Sequence, residues 1–153
     1  MSQVVIDAID RKILKYLITN ARMPFLEIAR KCGISGAAIH QRIKKLDESG
    51  VILGSRLVVD PKMLGFDVCA YIGIRLQDMQ TVDRLKQITE IVECHFITGT
   101  YNLFVKLYCV DNEHLMTTLC DRILAIPGIS TTQTYISLNE AFQRQIYVDC
   151  LHD

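Results

Sequence analysis

The sequence predicts an α+β protein in which a helix-turn-helix domain precedes a four-stranded sheet covered by helices. Three observations support this fold class. Hydrophobic residues recur at helical spacing up to about residue 50, they alternate at strand spacing beyond residue 66, and the charges divide along the same boundary. Residues 1–56 carry ten basic and five acidic side chains, whereas the remainder carries seven basic and twelve acidic ones. A net charge of +5 followed by one of −5 favours a polyanionic partner for the first part only.

The composition is that of a globular chain, with 153 residues of which 50% are hydrophobic. No apolar stretch approaches the roughly 20 residues needed to cross a bilayer, and the N-terminal residues lack the basic region of a secretory signal. We therefore expect no membrane association and a cytoplasmic location. The four histidines show no metal-ligand spacing, so we expect no metal site. Free buried thiols, rather than disulfides, are expected at six widely spaced positions: Cys32, Cys69, Cys94, Cys109, Cys120 and Cys150.

Three helices are predicted before residue 50. Asp7 is a suitable N-cap for the first helix, and Pro24 suits the start of the second because a missing N–H costs nothing there. The second helix ends at Gly33, and the third begins after a cap at Ser35 and ends before Gly50. A connection of about three residues between the second and third helices is typical of a helix-turn-helix.

The third helix presents a polar and basic face of the type that reads DNA. A helix fits the major groove, where Gln pairs with adenine and Arg or Lys with guanine, while Lys, Arg and Ser hold phosphates. A basic helix that is simply solvated is the alternative interpretation. A strand over 51–59 with a turn at Gly54 is expected to form a wing or a tether. We predict double-stranded DNA as a partner and contacts from Ser35, Ala37, His40, Gln41, Arg42, Lys44 and Lys45.

Strands and helices alternate in the second part of the chain. The predicted order is βαββαβ, a ferredoxin-like unit in which two helices cover one face of an antiparallel sheet. The predicted elements are a strand over 66–77, a helix over 81–89, a strand through 92–96, a strand over 103–110, a helix after Asp111 and a strand over 131–138. The predicted domains are a winged helix-turn-helix over 1–56, a linker strand or hinge over 57–65 and the βαββαβ domain over 66–153.

The uncovered face of the predicted sheet is too apolar to face water. Cys69, Tyr71, Phe104, Tyr108 and Tyr135 lie on the alternate side of strands whose first side is already apolar. A patch of this kind normally marks an interface, and a symmetric dimer is the commonest closed arrangement. A dimer would also place two recognition helices on two half-sites.

Several segments of the chain are shared, in order and spacing, with a known family. They lie at 10–14, 20–22, 27–29, 42–46, 50–52, 65–67 and 98–102. In these segments the chain resembles the leucine-responsive and asparagine-operon regulators, also called feast/famine regulatory proteins, along nearly its whole length. The resemblance implies a transcription regulator that binds DNA through the winged helix and, in many members, an amino acid through the βαββαβ domain. It also implies dimers that assemble further, often into octamers built as tetramers of dimers.

The same resemblance implies an effector site at the turn after the second strand, which in the family lines a cleft between subunits. Gly99 permits close approach of the backbone, Thr100 and Asn102 offer hydrogen bonds, and Tyr101 offers an apolar wall. Many members carry an acidic residue where Asn102 stands, so this chain lacks a charge for the ammonium group of a ligand. Residues 40–42, 60–65 and 101–104 are most similar to the asparagine-responsive branch, which makes asparagine the expected effector. The expected effector-binding residues are Thr98, Gly99, Thr100, Tyr101, Asn102, Leu103 and Tyr135.

Alternative functions remain for each feature. The alternative interpretation of the turn is a glycine-containing hairpin without a ligand. The alternative for the whole chain is an architectural DNA binder that senses nothing. An enzyme, or the regulatory subunit of one, is disfavoured because no nucleophile, base and orienting group occur at recognisable spacing. Cys94 and His95 are the nearest pair, and neighbours in a strand point to opposite faces. We therefore predict no catalytic residue and no cofactor other than the amino-acid effector.

Overall fold

The computed structural model divides into two compact units. It describes residues 5–78, 80–146 and 148. The first unit holds the described residues up to Val58 together with those from Gln143 onward, and the second unit runs from Val59 to Phe142. The predicted second domain continues to residue 153, and the structure differs there. Val148 is buried in the hydrophobic core of the first unit, because its apolar side chain completes the packing of the helices.

Three helices form the first unit, as the sequence predicts. They are α1 (Ala8–Thr19), α2 (Phe25–Cys32) and α3 (Gly36–Glu48). Asp7 caps α1 by accepting a hydrogen bond from the Asp10 N–H at 2.8 Å, and the Asp10 carboxylate accepts one from the Asp7 N–H at 3.3 Å. Gly33 ends α2 with a φ of 68°, a left-handed conformation that favours glycine. The core of the unit contains Ile13, Leu14, Ile28, Ala29, Ile39, Leu46 and Val148.

The predicted wing is not a strand. After α3 the backbone N–H groups of Val51 and Ile52 both donate to the Leu46 carbonyl, and residues 52–60 then form no ladder with any described strand. A strand requires a neighbouring strand for its backbone hydrogen bonds, and this segment has none among the described strands. The side chains of Leu53 and Val58 are correspondingly exposed.

A four-stranded antiparallel sheet forms the second unit. Its elements are β1 (Val68–Leu76), α4 (Thr81–Leu85), β2 (Ile91–Phe96), β3 (Leu103–Cys109), α5 (Asn112–Thr117) and β4 (Ile129–Ser137). The strand order in the sheet is β2-β3-β1-β4, which confirms the predicted βαββαβ topology. One face carries the core, which includes Ala70, Ile72, Ile74, Leu103, Val105 and Leu107.

One helix of this unit is shorter than predicted, and the other changes its hydrogen-bonding pattern along its length. α4 ends at Leu85 instead of continuing to residue 89, although Ile88 still packs into the core. α5 continues as a π-helix over Thr118–Ile123. Arg122 of the π-helix is tied to the residue before β2, because its Nη1 lies 2.6 Å from both carboxylate oxygens of Glu90.

The other face of the sheet, called here the open sheet face, is lined by aromatic and polar side chains. Tyr71 stacks on Phe104 with ring centroids 5.9 Å apart. Lys106 lies among them with only 8% of its surface exposed. Its Nζ is 5.8 Å from the Tyr71 ring centroid, 5.4 Å from that of Tyr108 and 3.8 Å from a carboxylate oxygen of Glu93. The aromatic character is as predicted, whereas the buried lysine is not anticipated by the alternation pattern.

The described cysteines are all free thiols, but they are not all buried. Cys109 is buried, Cys32 and Cys69 are half-buried, and Cys94 and Cys120 are exposed. The prediction of burial is therefore wrong for the last two. Cys94 lies on β2, an edge strand, where an apolar alternation does not ensure cover on both sides. Cys150 lies outside the described residues.

Neither a membrane span nor a metal cluster occurs in the part of the chain that the structure describes. None of its helices combines the length and the apolar character that crossing a bilayer requires. Within the same residues, no three His, Cys, Asp or Glu side chains gather where a metal ion would be held.

Candidate functional site

The outer face of α3 carries most of the residues predicted to contact DNA. Ala37, Gln41 and Lys44 are exposed at spacings of four and three residues, so they form one stripe along the helix. His40 is exposed beside this stripe, and its ring meets that of Phe25 edge to face with centroids 5.3 Å apart. This surface, which does not contribute to the core, therefore carries a methyl group, an imidazole, an amide and an ammonium group.

Ser35 and Lys45 lie at the margins of this stripe. The Ser35 hydroxyl oxygen accepts a hydrogen bond from the Ala38 N–H at 3.1 Å and so serves as the N-cap of α3. Lys45 is exposed, and its Nζ is 3.4 Å from the Val5 carbonyl oxygen. Lys44 has an exposed partner, Glu48, with Nζ and the carboxylate 3.6 Å apart. Such exposed contacts contribute little energy, so both ammonium groups can exchange them for phosphates.

Arg42 points away from the stripe and binds the start of α1. Its Nη1 lies 2.6 Å from a carboxylate oxygen of Asp7 and 2.7 Å from one of Asp10. The Asp10 side chain is only 1% exposed, so this guanidinium neutralises a buried carboxylate. The backbone N–H of Asp10 and the Arg42 side chain lower the pKa of Asp7, and the two carboxylates raise the pKa of Arg42.

The position of Arg42 contains a signal for this role. It follows the fully buried Ile39 by three residues and precedes the fully buried Leu46 by four, which places it beside the buried stripe of α3. The same spacing places Lys44 on the opposite side. The structure therefore separates Arg42 from the stripe formed by Ala37, Gln41 and Lys44.

A cleft of about 410 Å³ opens at the turn between β2 and β3. The sequence predicts three of its residues, namely Gly99, Thr100 and Asn102. It misses the others, which lie at the end of β1, directly after it and at the start of β4. The lining consists of Arg75, Leu76, Gln77, Gly99, Thr100, Asn102 and Ser130. Gly99 has a φ of 132°, a backbone conformation that side chains disfavour.

Asn102 joins this turn to the end of β1. Its Nδ2 donates to the Leu76 carbonyl oxygen at 2.9 Å, and its Oδ1 accepts from the Leu76 N–H at 2.7 Å. Its own N–H donates to the Ile74 carbonyl oxygen at 3.2 Å. The side chain thus pairs with the backbone of one residue as a neighbouring strand would, and its amide is engaged in the fold.

Tyr101 covers the open sheet face beside the cleft. A Cβ atom on Gly73 would lie 2.8 Å from Cδ2 and 2.9 Å from Cγ of the Tyr101 ring, so the ring packs directly on the glycine. The Tyr101 hydroxyl donates to Gln133 Oε1 at 2.9 Å. The glycine is therefore what allows the aromatic ring to lie flat against β1.

The remaining predicted effector residues do not line the cleft. Thr98 is exposed in the turn, and Leu103 is fully buried in the core of the sheet. Tyr135 lies opposite Tyr71 in the β1–β4 pairing and is 47% exposed on the open sheet face. The physical reason is the strand alternation, which sends Leu103 to the core side and Tyr135 to the other.

Arg75 is the charged residue of the cleft lining that the sequence interpretation misses. It is exposed near the end of β1, and its Nη2 donates to the Thr100 carbonyl oxygen across the cleft. The Ser130 hydroxyl donates to the Arg75 carbonyl oxygen at 3.2 Å. Its position among the outward-facing residues of the first strand was the available signal, but only the tertiary fold brings it to Thr100.

Two families of domains match the chain in the order of its two units. Residues 6–47 match the AsnC-type helix-turn-helix domain, and residues 69–147 match the Lrp/AsnC ligand binding domain. The two matches together span most of the chain and leave residues 48–68 between them.

Full-length relatives are similar over almost the whole chain. Regulatory protein AsnC of Escherichia coli K12 is 36% identical over 150 residues, covering 95% of this chain and 99% of the relative. Regulatory protein AsnC of Haemophilus influenzae is 36% identical over 145 residues, covering 92% and 97%. The solved structure of E. coli AsnC superposes with a TM-score of 0.88 over 94% of this chain and 99% of that one.

These relatives are regulatory proteins, which confirms the prediction that the chain is not an enzyme. The helix-turn-helix on α2 and α3 and the ligand-binding fold of the sheet unit are both those of the matched domains. The chain belongs to the Lrp/AsnC family of transcription regulators.

Proposed function

We propose that this regulator binds double-stranded DNA with the outer face of α3 and alters its assembly or its DNA affinity when a small amino acid occupies the cleft at Gly99. The observation that carries the proposal is the combination of an exposed polar stripe on the second helix of a helix-turn-helix with a cleft on the ligand-binding fold. Such a ligand acts only if it binds one state of the protein better than another.

On the DNA side, Gln41 is the candidate for reading a base edge, and Lys44 and Lys45 are the candidates for phosphate contacts. Ala37 and His40 complete the approaching surface, and Ser35 presents the N-terminus of α3. Arg42 is left out of the proposed contact set because its guanidinium is engaged by Asp7 and Asp10. This surface is exposed in the first unit and carries no hydrophobic residue larger than alanine.

On the effector side, the proposed ligand is a small amino acid, with asparagine as the first candidate. Two proteins of the same fold were solved with L-methionine, a transcription regulator of Neisseria meningitidis and a feast or famine regulatory protein of M. tuberculosis. They share 19% and 24% identity with this chain, so they support an amino acid as the class and leave its identity to experiment. An architectural DNA binder without an effector is the alternative.

We also propose that the chain forms homodimers through the open sheet face, and that dimers assemble into a tetramer of dimers. The exposed aromatic and apolar groups on that face, including Tyr135, support an interface. A regulator of DNA acts where the DNA is, so the proposed location is the cytoplasm.

The DNA proposal is tested by measuring duplex affinity against salt concentration with fluorescence anisotropy. Released counterions make log K fall with log salt concentration, and each lost phosphate contact reduces the slope by about 1. Lys44→Ala and Lys45→Ala should each flatten the slope, whereas Lys86→Ala, an exposed lysine of the sheet unit, should leave it unchanged. If none of the three variants differs in slope from the wild type, or if all three flatten it equally, the DNA surface lies elsewhere.

The effector proposal is tested by thermal unfolding of the wild type with each of the twenty amino acids at matched pH and salt. A ligand at a hundredfold excess over its Kd stabilises the native state by about 2.7 kcal/mol. A shift with asparagine alone supports the asparagine proposal, and a shift with other amino acids retains the sensor but replaces the ligand. No shift with any of them favours the architectural alternative.

A further inference from the structure

We propose that Arg75 anchors the carboxylate of the effector and that the cleft consequently accepts amino acids with neutral or acidic side chains and rejects basic ones. The inference rests on the proposed effector function and adds to it a residue and a ligand class. Its starting point is the position of Arg75 on the cleft wall, opposite the glycine turn.

Two polar side chains of the cleft lining, Asn102 and Ser130, and the neighbouring Tyr101 are already engaged by the fold. Both polar atoms of the Asn102 amide bind the Leu76 backbone, and the Ser130 hydroxyl donates to the Arg75 carbonyl oxygen. The Tyr101 hydroxyl donates to Gln133. These groups are therefore not free to donate hydrogen bonds to a ligand in the cleft. The charged donors that remain there are those of Arg75.

The geometry leaves the Arg75 guanidinium oriented but not saturated. One Nη donates to the Thr100 carbonyl oxygen, which holds one end of the group at the cleft. A guanidinium carries five N–H donors in a fork that matches the two oxygens of a carboxylate. The side chain is exposed, so the donors not used by Thr100 are open to a ligand.

The charge of the cleft is one-sided. Its seven described lining residues include one cation, Arg75, and no carboxylate. The α-carboxylate of an amino acid therefore meets an opposite charge, whereas its α-ammonium is left to carbonyl oxygens. A second ammonium or a guanidinium on the ligand would be repelled at short range, and a second carboxylate would not. The volume of about 410 Å³ lies within the range of ordinary small-ligand sites.

The first experiment is isothermal titration calorimetry of the full chain with L-asparagine, L-aspartate, L-methionine and L-lysine. We expect heat from at least one of the first three and none from lysine. R75Q should weaken the binding of the ligand found by roughly 10- to 100-fold, which is the loss of a charge-assisted contact. R75K, which keeps the charge and loses the fork, should fall between. R84Q, which removes an exposed arginine of α4 outside the cleft, should bind like the wild type.

The second experiment pairs the protein change with a ligand change. Replacing the α-carboxylate of the same amino acid by a carboxamide should weaken binding to the wild type and should have little further effect on R75Q. An equal loss for both proteins would show that another group holds the carboxylate. The comparison on the wild type alone decides the matter if R75Q proves unstable without ligand, since a wild type indifferent to the carboxamide overturns the proposal.

Failure of the anchor, of the charge selection and of the effector function would each give a different result. If an amino acid binds the wild type and R75Q binds it equally well, the anchor is wrong and the sensor function stands. If lysine binds as tightly as asparagine, the charge selection is wrong. If none of the four amino acids binds, the effector function on this cleft fails and the anchor fails with it.

Discussion

Arg42 links the recognition helix to the start of the first helix through a single terminal nitrogen. That atom lies within hydrogen-bond distance of two carboxylates, one exposed at Asp7 and one buried at Asp10. The buried carboxylate would be costly to leave unpaired, because low polarity around it disfavours an isolated charge. The orientation of α3 against α1 thus depends on a polar contact as well as on the apolar core.

Replacing Arg42 by Ala should lower the free energy of unfolding by about 2–3 kcal/mol, because it leaves Asp10 buried without its cation. Urea denaturation of the full chain measures this. Lys44→Ala is the matched control on the same helix, since its contact with Glu48 is exposed on both sides, and it should change stability by less than about 1 kcal/mol. Similar losses in the two variants would contradict the role assigned to Arg42.

The acidic side of the stability profile should depend on Asp7. The backbone N–H of Asp10 and then Arg42 lower the pKa of Asp7 in the folded state. The contribution of Asp7 to the free energy of unfolding is therefore complete above its unfolded pKa of about 4. It is lost as the pH falls through the lower folded pKa. Asp7→Asn keeps a capping side chain but does not titrate, so the stability difference between wild type and variant should shrink from about pH 5 to about pH 2. A difference that stays constant over this range would contradict the prediction.

Residue roles were predictable from sequence only where local structure decides them. Asp7 and Ser35 act as caps, as the sequence predicts, because a cap needs only the next three residues. Asn102 binds Leu76 and Arg42 binds Asp10, and both contacts depend on how distant elements pack. Donor and acceptor chemistry was therefore visible in the sequence, while its partners were not.

At the scale of elements, the turn between β2 and β3 is fastened to β1 at two points. Asn102 pairs with the backbone of Leu76, and the Tyr101 ring lies on Gly73. The contact of Asn102 extends the hydrogen-bonding pattern of the sheet beyond its last regular pair. The Tyr101 ring covers the part of the open sheet face that lies next to the turn. Any displacement of the turn by a ligand therefore acts directly on β1.

Gly73→Ala should destabilise the sheet unit by about 1–3 kcal/mol, because the new Cβ would lie 2.8 Å from the Tyr101 ring and force it to move. Removal of the ring should relieve the clash. In a Tyr101→Ala background, the same glycine substitution should cost much less, and urea denaturation of the four proteins gives the coupling directly. Additive losses in the double variant would show that the ring is not the obstacle.

Element order was predictable from periodicity, and element length was less so. The three helices of the first unit and the βαββαβ order appear as predicted, since hydrophobic spacing sets them. The prediction of a strand in the wing was wrong, because a strand requires a neighbouring strand. The side chains of Leu53 and Val58 are exposed there. α4 ends early and α5 passes into a π-helix, where the contact of Arg122 with Glu90 depends on the tertiary fold.

At the scale of the whole molecule, opposite net charges and an uncovered aromatic face point to two different partners. The basic first part suits a polyanion, and the open sheet face suits a second copy of the chain. Tyr135 is nearly half exposed there, while Tyr71, which pairs with it on the adjacent strand β1, is less exposed.

Tyr135→Asp should weaken self-association at least tenfold, because it places a charge in the proposed apolar interface. Its exposure in the single chain means that the fold itself should be retained. Sedimentation equilibrium measures the association, and Met116→Asp, an exposed apolar residue of α5, is the control. Unchanged association in Tyr135→Asp, or an equal loss in the control, would exclude the open sheet face as the interface.

The burial of Val148 in the first unit has a consequence for how the protein is made. Val148 shares a core with Ile13 and Leu14, so that core combines residues of α1 with one that is synthesised after the whole sheet unit. Contacts of such long sequence separation form slowly, since the intervening chain must first be brought together. During synthesis the recognition helix is therefore present long before its domain is complete. The sheet unit, which is continuous from Val59 to Phe142, has every residue it needs before the first unit does.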